Sequence, residues 1–209
     1  MITVSSDTQT LLLLTASRFL GEGVERVGGL TPAEYAALAK VLNALGRTPT
    51  ALRDDAALQA ACSKVLPTER LKTLLSTFLL VSVLTDRMEQ YGISVVSSYD
   101  EAYPSFLKAP AGCPLLWAAG DRSRLLDGQY CFAESPMFVD DLLAAANRPI
   151  VFLTDALWEN SLKSRWLKPL STGRLLLVSP LEPRVLYSSD VQPYWTDLAG
   201  QLARHALKA

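Results

Sequence analysis

The sequence predicts an α/β protein in which a helical N-terminal domain precedes a domain built on a mostly parallel sheet. Up to residue 91, apolar residues recur at helical spacing. Beyond Gly92, short apolar runs alternate with helical segments, which is the order expected of strands joined by helical crossovers. The chain has 209 residues, enough for two small domains. We therefore predict a helical domain over residues 1–91 and an α/β domain over residues 92–209.

Helix start and stop residues define the N-terminal elements. Thr31-Pro-Ala-Glu34 combines a capping threonine, a proline at the first helical position and a glutamate that completes a capping box. Gly46 and Gly92 are typical helix stops. The predicted helices cover about residues 6–19, 32–45, 54–63 and 69–90.

Short apolar runs define the strands of the second domain. The runs Ile150–Leu153 and Leu175–Val178 are continuously apolar, as expected of strands buried on both faces of a parallel sheet. Weaker strand candidates lie at residues 93–96, 114–118 and 130–133, and helices are predicted at about residues 137–146, 157–167 and 194–207.

Composition excludes several classes of protein. Hydrophobic residues make up 49% and the net charge is -1, so neither disorder nor a globally basic nucleic-acid-binding protein is indicated. Three dispersed cysteines do not indicate a disulfide framework, and with His205 as the single histidine neither a zinc site nor a Ser-His-Asp site is indicated. We expect His205 on an exposed helix surface. We expect a cytoplasmic protein without metal, cofactor or membrane attachment.

One basic stretch with interleaved aromatic residues is a candidate nucleic-acid contact. It contains Lys163, Arg165, Trp166 and Lys168. Basic side chains could pair with phosphates while a tryptophan stacks on a base. Helical spacing also places Trp158, Leu162 and Trp166 on one face. A core-facing helix with a basic solvated side is equally consistent.

The order of several short motifs resembles the DNA-processing protein A (DprA) family. Near Gly92 the chain has a glycine, a strand and then Tyr103-Pro104, followed by an apolar strand and Gly120-Asp121. The segment Gly173–Pro180 and the N-terminal LTPAEYAALAKVLNALG also resemble family segments. The resemblance implies a sterile-alpha-motif-like helical module followed by a reduced Rossmann-like domain. It also implies self-association as a homodimer.

The chain departs from that family where an anion would bind. Glu134-Ser135-Pro136 stands in place of the family's Val-Gly-Ser-Arg loop, and the glycine-rich segment that follows it in the family is missing. A glutamate repels an anion, and a proline lacks the amide donor. Ser135 and Ser179 are left as a remnant anion site, and Arg184 is a further candidate for nucleic-acid contact.

These motifs and departures lead to one favoured function and two alternatives. The favoured function is a non-catalytic, DprA-like binding or scaffold protein that contacts a protein partner in DNA processing or in defence against foreign DNA. The first alternative is a direct single-stranded DNA-binding protein that loads a RecA-type recombinase. The second is a small nucleotide-binding or nucleotide-cleaving Rossmann enzyme.

Overall fold

A five-stranded mixed sheet with helices on both faces forms the centre of the protein. The computed structural model describes residues 4–15, 29–76, 79–107, 113–126, 128–157, 159–180 and 192–206.

Five helices precede the first strand in the described part of the chain. The capping box predicted at the start of the second helix is confirmed, because Thr31 Oγ1 accepts from the Glu34 N–H at 3.2 Å and Glu34 Oε2 accepts from the Thr31 N–H at 2.9 Å. The helix predicted over 69–90 is described as two helices, and the end of the first predicted helix lies outside the described residues. The five helices are α1 Ser6–Thr15, α2 Pro32–Ala44, α3 Ala56–Cys62, α4 Thr68–Ser76 and α5 Leu79–Gln90.

The strands follow in the predicted places. They are β1 Ile93–Ser97, β2 Leu115–Ala119, β3 Cys131–Ala133, β4 Ile150–Leu153 and β5 Leu175–Ser179. Helices α6 Pro136–Ala145 and α7 Asn160–Ser171 connect β3 to β4 and β4 to β5, and α8 Gln192–His205 follows β5.

The strand order β1-β2-β5-β4-β3 makes the sheet mixed. Strands β3, β4 and β5 are parallel, whereas β2 runs antiparallel to both β1 and β5. The predicted mostly parallel sheet is therefore confirmed for β3–β5, whereas β2 makes the sheet mixed. A parallel crossover usually needs a helix, and the described residues between β1 and β2 contain only the 3-10 helix Ser105–Leu107.

Side chains alternate between two buried layers on either side of the sheet. Leu175 and Leu177 of β5 belong to the layer that includes helices α1–α7, and Leu176 and Val178 belong to the layer under α8. The first layer is one buried cluster with side chains from both sides of residue 91. The division into domains 1–91 and 92–209 stays a prediction.

Helix α7 is kinked at Trp166, where the backbone has φ -116° and ψ 19°. Pro169 lies inside the helix, three residues further on. A proline lacks the N–H of the helical ladder, and its ring crowds the carbonyl of the preceding turn. The kink lies where the Trp166 ring enters the core.

Candidate functional site

The carboxyl ends of β3, β4 and β5 meet at one edge of the sheet, which is where ligands bind in many parallel α/β sheets. The register aligns Ala133 with Phe152 and Phe152 with Leu177. Two positions after each of these aligned residues the chain has a hydroxyl residue, namely Ser135, Thr154 and Ser179. With strands about 4.8 Å apart, Ser135 and Ser179 are separated by about 10 Å, with Thr154 between them.

The three hydroxyl residues at this edge occupy different environments. Ser179 is fully buried and is paired with Trp117 of β2. Thr154 is 6% exposed, and its Oγ1 accepts from the Ala156 N–H at 3.1 Å. Ser135 is half-buried before α6, and its side chain makes no capping hydrogen bond. Ser135 and Ser179 therefore lie at the same edge of the sheet on strands that are not neighbours, and their role as a remnant anion site stays a prediction.

Acidic residues lie in the loops at this edge. Glu134 follows β3, Asp155 follows β4 and Glu159 precedes α7. Carboxylates near helix N-termini are stabilised by the helix dipole. The same carboxylates disfavour an anionic ligand here, because like charges repel.

The basic stretch predicted to contact nucleic acid lies on α7, and its tryptophan is buried. Trp166 is 1% exposed and its Nε1 donates to Asp140 Oδ1 at 2.8 Å. Its ring meets Phe152 edge-on, with 5.5 Å between ring centroids. The interpretation of Trp166 as a base-stacking residue is therefore wrong for this conformation, because the ring is enclosed by the core.

The charged residues of the same stretch have separate surroundings. The exposed Arg165 forms an ion pair with Asp140, and its guanidinium carbon lies 5.4 Å from the centre of the Trp166 ring. Lys168 is exposed. The side chain of Lys163 and all of Arg184 lie outside the described residues. Phosphate contact by Lys163, Arg165, Lys168 and Arg184 stays a prediction.

A polar cluster that the sequence did not reveal joins α1 to the end of β1. The Asp100 carboxylate accepts hydrogen bonds from the hydroxyls of Ser5 and Thr8 and from the Ser97 N–H. Burial alone would raise the pKa of Asp100, but these hydrogen bonds outweigh it and hold the pKa below its ordinary value. Ser5 and Asp100 are 95 residues apart in the chain, so no local motif could have predicted their contact.

His205 is not the exposed helical histidine that the sequence predicted. It is half-buried at the end of α8, and its ring stacks on Phe106 with centroids 3.6 Å apart. Its Nδ1 lies 3.4 Å from the hydroxyl of Tyr130, which donates to the Leu202 carbonyl at 3.1 Å. The packing fixes His205 beside the loop before β3, away from the carboxyl ends of the strands.

The cysteines offer no reactive thiol to the site. Cys62, Cys113 and Cys131 are all buried and free. Burial raises the pKa of Cys113 to about 12, so its thiol stays protonated near neutral pH. In the described part of the chain, no group of three or more histidine, cysteine or acidic residues is placed to hold a metal ion.

Comparison with known proteins adds neither a family nor a related fold. No protein-family model, curated protein or solved structure matches the chain. None of the described helices is long and apolar enough to cross a membrane.

Proposed function

We propose that this chain is a non-catalytic binding protein, a scaffold with a reduced Rossmann-like domain that works in DNA processing or in defence against foreign DNA. The pathway part of the proposal rests on the motif order that resembles the DprA family. The non-catalytic part rests on the edge of the sheet where a nucleotide would bind. We expect it to act by contacting a protein partner.

The loop between β3 and α6 is the observation that carries the proposal. A phosphate at a helix N-terminus needs amide donors and a close backbone approach. Here Pro136 occupies the first helical position without an N–H, and the exposed Glu134 precedes it. The next two side chains, Met137 and Phe138, are 69% and 57% exposed. An acidic and apolar helix start favours a protein contact over a phosphate.

Thermal unfolding with a panel of nucleotides tests the non-catalytic part. We expect ATP, ADP, NAD and cyclic nucleotides, each with Mg²⁺, to leave the Tm of the protein unchanged and to be recovered intact. A ligand at a hundred times its Kd would stabilise the folded state by about 2.7 kcal/mol, which is readily detected. Stabilisation that Thr154→Val removes, or release of a cleaved product, would contradict the proposal and favour the nucleotide enzyme.

A redesigned loop provides the matched variant for this experiment. The double variant Glu134→Gly with Pro136→Ala removes the charge and restores one amide donor. We expect it to gain weak, salt-sensitive stabilisation by inorganic phosphate. Glu101→Gln removes an exposed acid that follows β1 and should not gain this response.

Isolation of the tagged chain from its own cells, followed by mass spectrometry, tests the pathway part. We expect enrichment of a nuclease, helicase or recombinase. Enrichment of metabolic enzymes alone would count against a role in DNA processing. Tight, salt-dependent binding of single-stranded DNA, lost on charge reversal at Lys163, Arg165 and Lys168, would instead favour the alternative of a recombinase-loading DNA-binding protein.

A further inference from the structure

The outer side of β3 is an open edge of the sheet in the described part of the chain. Strand β3 comes last in the order β1-β2-β5-β4-β3, and among the described residues it pairs only with β4. At the opposite edge, four of the five residues of β1 are buried, and helices α1 and α5 contact that strand. In contrast, Phe132 in the middle of β3 is only partly buried, and Glu134 directly after β3 is exposed.

The backbone of Phe132 points toward this edge. In a parallel ladder the N–H and C=O of one residue face the same side, and successive residues alternate between the two sides. The Cys131 N–H donates to the Pro149 carbonyl before β4 at 2.8 Å, so the N–H and C=O of Phe132 face away from β4. Neither group has a hydrogen-bond partner among the described residues. Such backbone groups can pair with an added strand.

Helix α6 forms an apolar wall beside the open edge. It contacts β3 and β4, and its Asp140 accepts from Trp166 of α7, which marks the side of α6 that faces α7. Phe138 lies two positions before Asp140, about 200° around the helix, so it points to the opposite side, where the edge is. Leu142 lies one turn after Phe138 on the same side and packs partly on the core. Phe138 and Leu142 therefore line the edge without a charged group between them.

The segment from β3 through α6 is acidic. Residues 131–145 include Glu134, Asp140 and Asp141 but no lysine or arginine. Asp140 is paired with Arg165, whereas Glu134 and Asp141 are exposed and have no ion pair with a described residue. A bound segment that carries a basic side chain is therefore attracted to this edge.

Protection from aggregation explains part of this arrangement. An edge strand of three residues is short, which limits its pairing with other chains. Shortness does not account for the Phe138 ring beside it, which is 57% exposed. An exposed ring next to unpaired backbone donors and acceptors is instead typical of a site that binds an extended peptide.

We propose that β3 binds an extended segment of the partner protein as an added strand. The segment pairs with the N–H and C=O of Phe132 and places an apolar side chain against Phe138 and Leu142. A lysine or arginine of the segment lies beside Glu134. A second copy of this chain fits less well, because two copies joined at this edge bring two acidic segments together. The inference rests on the proposed function, since it describes how the protein partner of that function is held.

Hydrogen exchange of the Phe132 amide, measured by NMR, tests whether the edge is open. In the free protein we expect this amide to exchange roughly a hundred times faster than the Cys131 amide, which is bonded to Pro149. Slow exchange of the Phe132 amide in dilute protein would show that another part of the chain covers the edge and would overturn the proposal. Protection that appears only when the protein concentration is raised would assign the edge to a second copy and overturns it as well.

Selection of a phage-displayed library of random peptides on the full-length chain supplies a probe for the site. We expect the enriched peptides to alternate apolar and polar residues and to carry a lysine or arginine. At saturation the synthesised peptide should slow exchange of the Phe132 amide by about tenfold or more. N-methylation of the peptide residue that pairs with Phe132 should weaken binding by about tenfold, whereas N-methylation of the next residue, whose N–H faces away, should not.

Variants of the wall and of the acid test the other two contacts with the same peptide. Phe138→Asp should weaken binding by about tenfold or more, and Glu134→Gln should lower both the affinity and its dependence on salt. Leu167→Asp changes a similarly exposed apolar residue on α7 and should bind like the wild type. Circular dichroism checks that each variant is folded.

The outcomes separate this inference from the proposed function. Failure to enrich any peptide, unchanged affinity of a folded Phe138→Asp variant, or a bound peptide that leaves the Phe132 amide unprotected overturns strand addition at β3. If the tagged chain still captures a nuclease, helicase or recombinase from its cells in that case, the proposed function stands and only the inference is lost. Peptide binding by β3 without such a partner would instead support the site and count against the pathway.

Discussion

At the scale of single residues, polar groups in this protein are satisfied by partners far away in the chain. Asp100 at the end of β1 accepts from Ser5 and Thr8 of the N-terminal segment. Asp7 accepts from both the N–H and the hydroxyl of Thr50, at 2.9 and 2.7 Å. Two carboxylates therefore fix α1 in its place on the sheet and on the 3-10 helix Pro49–Arg53.

Replacement of Asp100 by asparagine should destabilise the protein. The variant keeps one accepting oxygen but places an amide donor opposite hydroxyl and N–H donors. We expect a loss of about 1–2 kcal/mol in the free energy of unfolding by urea at pH 7, since the group is half exposed. Asp141→Asn changes an exposed carboxylate on α6 and should cost less than about 0.5 kcal/mol.

The effect of Asp100 should depend on pH in one direction. Its folded-state pKa lies below the ordinary value, so its stabilising contribution is present above the ordinary value of about 3.9 and is lost as pH falls through the folded-state pKa. The stability difference between wild type and Asp100→Asn should therefore shrink below about pH 4. A difference that grows on acidification would show that the carboxylate is not the stabilising form.

Residue patterns predicted where tryptophan lies on α7 but not which way it faces. Helical spacing places Trp166 on the same face as Leu162. This spacing is the same whether that face packs in the core or stacks on a nucleic-acid base. The tertiary packing of α7 decides between them, because Trp166 Nε1 donates to Asp140 of α6 and the ring contacts Phe152 of β4. That hydrogen bond links residues 26 apart in the chain and is invisible to a local pattern.

At the scale of elements, the helix caps show why local sequence predicted so much of the fold. Thr31, Pro32 and Glu34 satisfy the first orphan amides of α2 with local partners, so their pattern is readable without the rest of the chain. The same holds for Asp55, whose side chain caps α3. Predicted strand positions agree with the structure to within one residue for the same reason. The spacing of apolar residues and the β-branched composition of a strand can be read from the strand's own residues.

Thr31→Ala tests the strength of the cap on α2. Loss of the hydroxyl leaves the Glu34 N–H without its partner, and we expect about 1 kcal/mol of destabilisation in urea unfolding. Thr48 precedes the 3-10 helix Pro49–Arg53 without making a side-chain capping bond, so Thr48→Ala is the matched control. Equal losses in the two variants would show that the capping bond contributes nothing beyond the threonine side chain.

At the scale of the whole molecule, the antiparallel β2 separates β1 from the parallel strands. Strand β2 pairs with β5 through Trp117, Ala118 and Ala119, and the chain then turns at Gly120. The sequence predicted that β2 exists but not its direction, because both directions bury the same side chains. The sequence does show acids directly after two predicted strands, at Glu134 and Asp155. It does not show that β3 and β4 are neighbours in the sheet, which brings the two acids to one edge.

The turn at Gly120 should not tolerate a side chain. Its φ is +112°, and an added Cβ would lie 2.8 Å from the Leu175 carbonyl oxygen of β5. We expect Gly120→Ala to cost about 3 kcal/mol, from backbone strain and from displacement of β5. Gly46 has φ +61° with nothing within 4 Å of an added Cβ, so Gly46→Ala should cost only about 1 kcal/mol. Thermal unfolding of both variants measures the two losses. Similar losses would contradict close packing of the turn on β5.

Burial of α1 has a consequence for how the chain is made. Leu11, Leu12, Leu13 and Leu14 are at most 2% exposed, so the turn of α1 that they form is covered on all sides. Its neighbours include β1 and β2, and the Asp100 that binds Ser5 lies 95 residues further along the chain. On the ribosome, α1 therefore emerges long before the strands that cover it. Until β2 has left the exit tunnel, the surface of α1 that these strands cover in the folded protein must face water or a chaperone.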